Sequence, residues 1–158
     1  MNYDDTAAGY NELHGDEQAA KLRIIKEILK PQKGSRLLDI GCGTGISSDF
    51  ECFVVGIDES IGMLKLNNSL MKLAASAQML PFKTGSFDYV VSVTAIHNFD
   101  SVIDAVSDMK RVGRNNFVFS VLRKSKKYAM ISGVVEENFR IEKRIEEDKD
   151  TIFFCSRL

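Results

Sequence analysis

Two short stretches carry most of the residues whose types and spacing could do chemistry. The first is Leu37-Leu38-Asp39-Ile40-Gly41-Cys42-Gly43-Thr44-Gly45, with glycine at alternate positions directly after an apolar run. Glycine at a strand end lets the backbone turn tightly and approach a ligand closely, although tight turns alone account for many such triplets. A dinucleotide fingerprint would need glycine at position 46, where Ile46 stands, and no Gly-Lys-Ser/Thr ending makes a phosphate-cradling loop. Asp39 offers a pyrophosphate nothing; a carboxylate beside the loop suits a ligand that bears positive charge. The second stretch, Val55-Gly56-Ile57-Asp58, ends seventeen residues beyond Gly41. An acid at the tip of the next strand can accept both hydroxyls of a ribose. It can equally cap the helix that starts near Ser60, and one carboxylate can do both.

A candidate general base is His97, in Ala95-Ile96-His97-Asn98-Phe99. It follows the apolar run Phe87–Val93, at the strand end where open α/β sheets bind ligands, and its proton affinity suits transfer near neutrality. The competing reading is a structural histidine that caps the helix after Phe99. Arg123-Lys124-Ser125-Lys126-Lys127 sets four cations in five residues on the same rim, as a seat for an anionic acceptor such as RNA phosphate or as a solvated loop. Lys30, Lys33 and Arg36, with Lys110, Arg111 and Arg114, precede strands and fall on the opposite rim, where they serve solubility and helix C-terminal charge. Met63, Met71 and Met79 read as packing residues. The three cysteines, Cys42, Cys52 and Cys155, form no C-x-x-C pair and have no histidine at ligand spacing. That predicts no metal site, reduced thiols and a cytoplasmic location.

These residues need a frame. The spacing of Leu22, Ile25, Ile28 and Leu29 predicts a helix over Glu17–Lys30, stopped by Pro31. Arg36–Ile40, Phe53–Ile57, Phe87–Val93 and Phe117–Leu122 read as strands buried on both faces. Between them Ser60–Leu73 and Ser101–Val112 have helical spacing, Ala74–Met79 fits a short strand, and Lys127–Asn138 makes a further helix. The chain's last twenty residues alternate about a polar Asp148-Lys149-Asp150 turn, the pattern of a β-hairpin. Strand and helix alternating, closed by a hairpin, predict an α/β fold with a mostly parallel sheet. At 158 residues the chain is one domain long, with residues 1–30 as an N-terminal lid and helix and 31–158 as the core. Its 44% hydrophobic and 27% charged residues exclude a disordered or fibrous chain. A net charge of -1 speaks against autonomous DNA binding. No apolar run is long enough for a membrane span, and the acidic first twenty residues are unlike a targeting peptide.

Taken together, the sequence resembles the class I S-adenosylmethionine-dependent methyltransferases, of the type 11 group. The resemblance rests on Tyr3-Asp4 with Ala7 and Tyr10, Leu37–Gly45, Asp58-Glu59-Ser60 with Met63-Leu64, Leu80-Pro81-Phe82, Ser86-Phe87-Asp88 and Arg111-Val112. It implies a Rossmann-like three-layer sandwich whose seven-stranded, mostly parallel sheet ends in a reversed strand. It implies S-adenosyl-L-methionine as cofactor and S-adenosyl-L-homocysteine as product. Gly41, Cys42, Gly43 and Gly45 would line the homocysteine moiety, with Asp39 near its ammonium group. Asp58 would grip the ribose, Glu59, Ser60 and Met63 would border the adenine, and Ala77 and Gln78 would face its edge. Thr94 would close the methionine side, and Tyr3 and Tyr10 would form a lid. The chain departs from the pattern at Ser76, where an aspartate is common, in the short span from Gly45 to Asp58, and in the Gly113–Asn116 turn.

Methyl transfer is an in-line displacement that positioning can largely accelerate, so a base is needed only for an acceptor that arrives protonated. The acceptor itself, whether small molecule, RNA or protein, is not written in the motifs, and no Asn-Pro-Pro-Tyr-type segment points to amide methylation. The segment Leu37–Leu64 is also similar to the eukaryotic ribosomal-RNA guanine-N7 methyltransferases, which have a Gly-Ser-Asp-like stretch where this chain has Ser47-Ser48-Asp49, and this resemblance implies a small activator subunit as partner. The alternative function is a catalytically silent cofactor-binding subunit or a cofactor sensor.

Overall fold

The computed structural model describes residues 9–158, apart from the side chains of Tyr10 and Leu13. Tyr3 and the side chain of Tyr10 therefore lie outside the described residues. In chain order the elements are α1 (Tyr10–Leu29), β1 (Arg36–Ile40), β2 (Phe53–Asp58), α2 (Ile61–Leu66), β3 (Lys72–Ala74), β4 (Phe87–Val93), α3 (Val102–Val112), β5 (Gly113–Leu122), α4 (Tyr128–Asn138), β6 (Phe139–Glu147) and β7 (Asp150–Arg157). One seven-stranded sheet runs in the order β3-β2-β1-β4-β5-β7-β6. The first five strands in that order pair in parallel. β7 enters antiparallel beside β5 and carries β6 outside it, so the predicted reversed strand is present.

Strand periodicity explains the three layers. Leu38, Val90, Phe117, Phe119 and Phe153 pack in one cluster with Val106 and Met109 of α3 and Ile131 and Val135 of α4. Their strand neighbours Leu37, Val91, Val118, Ile152 and Phe154 pack in the other, under Leu22 and Ile25 of α1. Successive side chains on a strand point to opposite faces, so a parallel strand covered on both sides needs an unbroken apolar run.

Four boundaries differ from the sequence expectation, one of them at β5, which begins at Gly113 and not Phe117, so the expected Gly113–Asn116 turn is the start of the strand. α1 begins at Tyr10 rather than Glu17, because its polar first half has no apolar repeat to mark it. α2 ends at Leu66 instead of continuing to Leu73, and the short strand falls at Lys72–Ala74 rather than Ala74–Met79. The break comes at Asn67, which is buried and turns inward to donate from Nδ2 to the Gly43 carbonyl (3.1 Å). The span Ile46–Glu51 holds only a 3-10 turn, Ile46–Ser48. Several residues carrying the resemblance are structural clamps. Arg111 donates to the carbonyls of Phe82 (2.7 Å) and Leu80 (3.0 Å) and to Asp108 (2.5 Å). Asp88 accepts from the Arg36 amide at 2.8 Å and from Arg114 at 2.7 Å.

Candidate functional site

The parallel order reverses direction at β1, which lies between β2 and β4, and a cleft opens beyond the carboxyl ends of these strands. This is the switch point where open α/β sheets bind ligands. A cavity of about 360 Å³ occupies it, lined by Gly41–Thr44 after β1, Ile57–Ser60 after β2, Val93–Ala95 after β4, and Met63, Ala75 and Ala77. Gln18 of α1 covers it from the side, with Asn98 and Phe99 at its mouth.

The loop after β1 needs its glycines. Gly41, Gly43 and Gly45 have φ of 75°, 52° and 92°, in the left-handed region. A Cβ at Gly41 would stand 2.4 Å from that of Ala95, so the tips of β1 and β4 approach as closely as they do only without a side chain there. Gly56 serves the same loop from β2, since a Cβ on it would meet Cys42 Sγ at 2.8 Å. Asp58 fixes the loop to the next strand. Its Oδ2 accepts from the Gly43 amide and its Oδ1 from the Ser60 amide, both at 2.8 Å. Ser60 in turn caps α2 by accepting from Met63 N at 3.1 Å.

Asp39 is wholly buried behind the loop. Its Oδ2 accepts from Ser47 (2.8 Å) and Ser48 (2.6 Å), while Oδ1 has no hydrogen-bond partner among the described residues. Burial pushes its carboxyl up to about 6, against the two serine hydroxyls that lower it. Burial likewise raises the Cys42 thiol, which makes it an inert packing group rather than a nucleophile.

A second polar cluster closes the β4 side. Thr94 holds φ at 51°, unusual for a β-branched residue, and its Oγ1 accepts from Lys21 Nζ (2.8 Å) and donates to Asp150 Oδ2 (2.8 Å). Ser120 also donates to Asp150, and Lys21 lies 3.3 Å from the same carboxylate with both side chains buried. His97 follows in the 3-10 turn Ile96–Asn98. Burial lowers its pKa, partly countered by Asp150 and reinforced by Lys21 and Lys127, and its Nδ1 has no partner among the described residues.

Of the residues singled out from sequence, Gly41, Cys42, Gly43, Asp58, Glu59, Ser60, Met63, Ala77 and Thr94 meet on the cavity wall. Asp39 and Gly45 support the loop from behind it. Gln78 lines a separate shallow depression with Ser76 and Met79, and His97 is not among the lining residues. Sequence reasoning missed Gln18, Thr44, Asn98 and the supporting Asn67. Gln18 and Asn67 are polar side chains whose burial is set by tertiary contacts, and no local pattern marks them.

Residues 38–120 match the family model described as a methyltransferase domain, which is more than half of the chain. The chain belongs to this methyltransferase domain family. A relative, an uncharacterized protein of Methanocaldococcus jannaschii, is 31% identical over 159 residues, covering 95% of this chain and 62% of the relative. The match covers 52% of a demethylmenaquinone methyltransferase of Renibacterium salmoninarum and 25% of a probable tRNA methyltransferase 9B of Homo sapiens, so the chain spans only part of the length of the curated relatives it matches. Among solved structures, an S-adenosylmethionine-dependent, possible histamine N-methyltransferase of Thermotoga maritima superposes with a TM-score of 0.79 at 16% identity, covering 99% of both chains. A putative methyltransferase of Haloferax volcanii, solved in complex with the Trm112 methyltransferase activator, also gives 0.79, at 13% identity and 99% and 97% coverage. Both share the fold of this methyltransferase domain.

Proposed function

We propose that this chain is an S-adenosylmethionine-dependent methyltransferase that passes a methyl group to an acceptor still to be identified. The observation that carries the reading is the pairing of the glycine loop with Asp58 at the switch point, inside a methyltransferase domain. The residues present fit the cofactor. The left-handed glycine loop lays bare backbone along the cavity wall at Gly41 and Gly43, and the half-buried Asp58 carboxylate stands at a strand tip where a ribose can be held. Met63, Ala75 and Ala77 give an apolar slot beyond it for a flat base. When bound, S-adenosylmethionine supplies a methyl group activated by a sulfonium. The chain's own part is to hold and orient, since positioning of the reacting atoms accounts for much of the acceleration of a displacement. For an acceptor that arrives protonated, His97 is the proposed base, its ring kept neutral at physiological pH by burial.

An activator subunit is part of this proposal. The fold neighbour solved with an activator supports it, and so does the apolar edge at β3, where Leu70, Met71 and Leu73 are exposed. Three free cysteines favour a reducing compartment such as the cytoplasm. Two measurements test the function. Calorimetry should show S-adenosylhomocysteine binding and no NADH binding. Incubation with methyl-labelled cofactor and fractionated lysate should then place label in one class of molecule; cofactor binding without any labelled product would favour the silent subunit instead.

A further inference from the structure

We propose that the Gln18 side chain recognises the ammonium group at the amino-acid end of the cofactor, the role that the family resemblance implies for Asp39; this rests on the methyltransferase reading above. Three observations carry it.

The first is position. Asn11, Gln18 and Lys21 fall on one face of α1 at about 3.6 residues per turn. Asn11 accepts from the Thr44 hydroxyl at 2.5 Å, and Lys21 donates to Thr94. Gln18 is therefore bracketed between the loop after β1 and the tip of β4. With the ribose at Asp58 on β2, a ligand crossing the switch point reaches Gln18 with the end remote from its base.

The second is chemistry. Gln18 is 5% exposed and lines the cavity, yet its Oε1 has no hydrogen-bond partner among the described residues. A buried carbonyl left unpaired forfeits its hydration with nothing in return, so the site is incomplete without a donor. At the amino-acid end of the cofactor the ammonium is the only donor, because the carboxylate only accepts and the sulfonium carries no proton.

The third is that the competing group does not line the cavity, although its own Oδ1 is unpaired among the described residues. Asp39 spends Oδ2 on Ser47 and Ser48 and lies behind the loop, off the cavity wall.

The test is titration of the full chain with S-adenosylhomocysteine and with 5′-methylthioadenosine, which keeps the thioether nucleoside and lacks the amino-acid tail. Thermal melts confirm that each variant is folded. Gln18→Leu should weaken S-adenosylhomocysteine about tenfold or more, as for loss of a hydrogen bond to a charged group, and leave methylthioadenosine within about twofold. Gln18→Glu should hold S-adenosylhomocysteine within about threefold of wild type or tighten it, because a carboxylate also accepts from an ammonium. The proposal is overturned if Gln18→Leu weakens both ligands equally, which would make the residue a packing element, or weakens neither. It is also overturned if Gln18→Glu loses as much as Gln18→Leu, which would place the cofactor's carboxylate there. Wild-type protein that binds neither ligand would instead overturn the functional reading itself.

Discussion

Asp58 and Asp39 stand at the ends of neighbouring strands and do opposite work. Asp58 is half-exposed and spends one oxygen on the Gly43 amide and the other on the Ser60 amide, so it shapes the loop and faces the cleft together. Asp58→Ala should weaken S-adenosylhomocysteine at least tenfold by calorimetry, about 1.4 kcal/mol; unchanged affinity in a folded variant would refute the mapped site. Asp39 is a supporting group whose carboxyl is raised from 3.8 to about 6 by burial. The folded state thus holds this proton more tightly than the unfolded chain. The stability the group contributes is fully present below pH 3.8 and is lost as pH rises through about 6, on the order of 3 kcal/mol across the window. Asp39→Asn cannot ionise and should remove that loss. Urea titrations from pH 4 to pH 8 should show the variant gaining on wild type as pH rises, and parallel curves would contradict the assignment.

Elements differ in how much of them the sequence shows. β1, β2 and β4 were legible because both faces of a central parallel strand are covered, which leaves an apolar run, ending at Gly41 after β1, at Asp58 in β2 and at Thr94 after β4. α2 was over-read because Leu66, Leu70, Met71 and Leu73 keep helical spacing while serving an exposed sheet edge, and the residue that ends the helix, Asn67, is chosen by its reach to Gly43. The first half of α1 was illegible for the converse reason. Its contact to the site is polar, through Asn11, and a polar contact leaves no hydrophobic period; Gln18 and Lys21 continue the same face. Lys21 shows what that costs. Its ammonium, 2% exposed, is held by Asp150 of β7, which is fully buried, and so pins α1 to the antiparallel end of the sheet. Removing one partner strands a buried charge, at about 3–5 kcal/mol, whereas replacing both with apolar groups of similar volume is often neutral. Lys21→Met alone should therefore destabilise strongly, and Lys21→Met with Asp150→Leu should recover most of the loss in urea denaturation. A single-variant cost below about 1 kcal/mol would show that the pair does not hold the helix.

At the scale of the molecule the two edges of the sheet are treated differently. The β6 edge carries Arg140, Glu142, Lys143, Arg144 and Glu146, charges that discourage pairing with another chain. The β3 edge carries Lys72, Leu73 and Ala74, all exposed, flanked by Leu70 at 99% and Met71 at 47% exposure. Its paired side is taken by Gly56–Asp58 of β2, and among the described residues no strand occupies the other. An unprotected apolar edge is a template for an added strand, with main-chain hydrogen bonds giving affinity and alternate side chains giving selectivity. β2 and β1 separate this edge from the tip of β4, while Ala75, directly after β3, borders the cofactor cleft. The proposed activator would then act by covering this edge. By gel filtration, the chain alone should self-associate with rising concentration, and a Trm112-type activator should convert it to a one-to-one complex. Leu70→Asp with Leu73→Lys should abolish both associations while leaving S-adenosylhomocysteine affinity within about twofold, since neither side chain lines the cleft. An activator complex that survives both substitutions would move the interface to another face of the molecule.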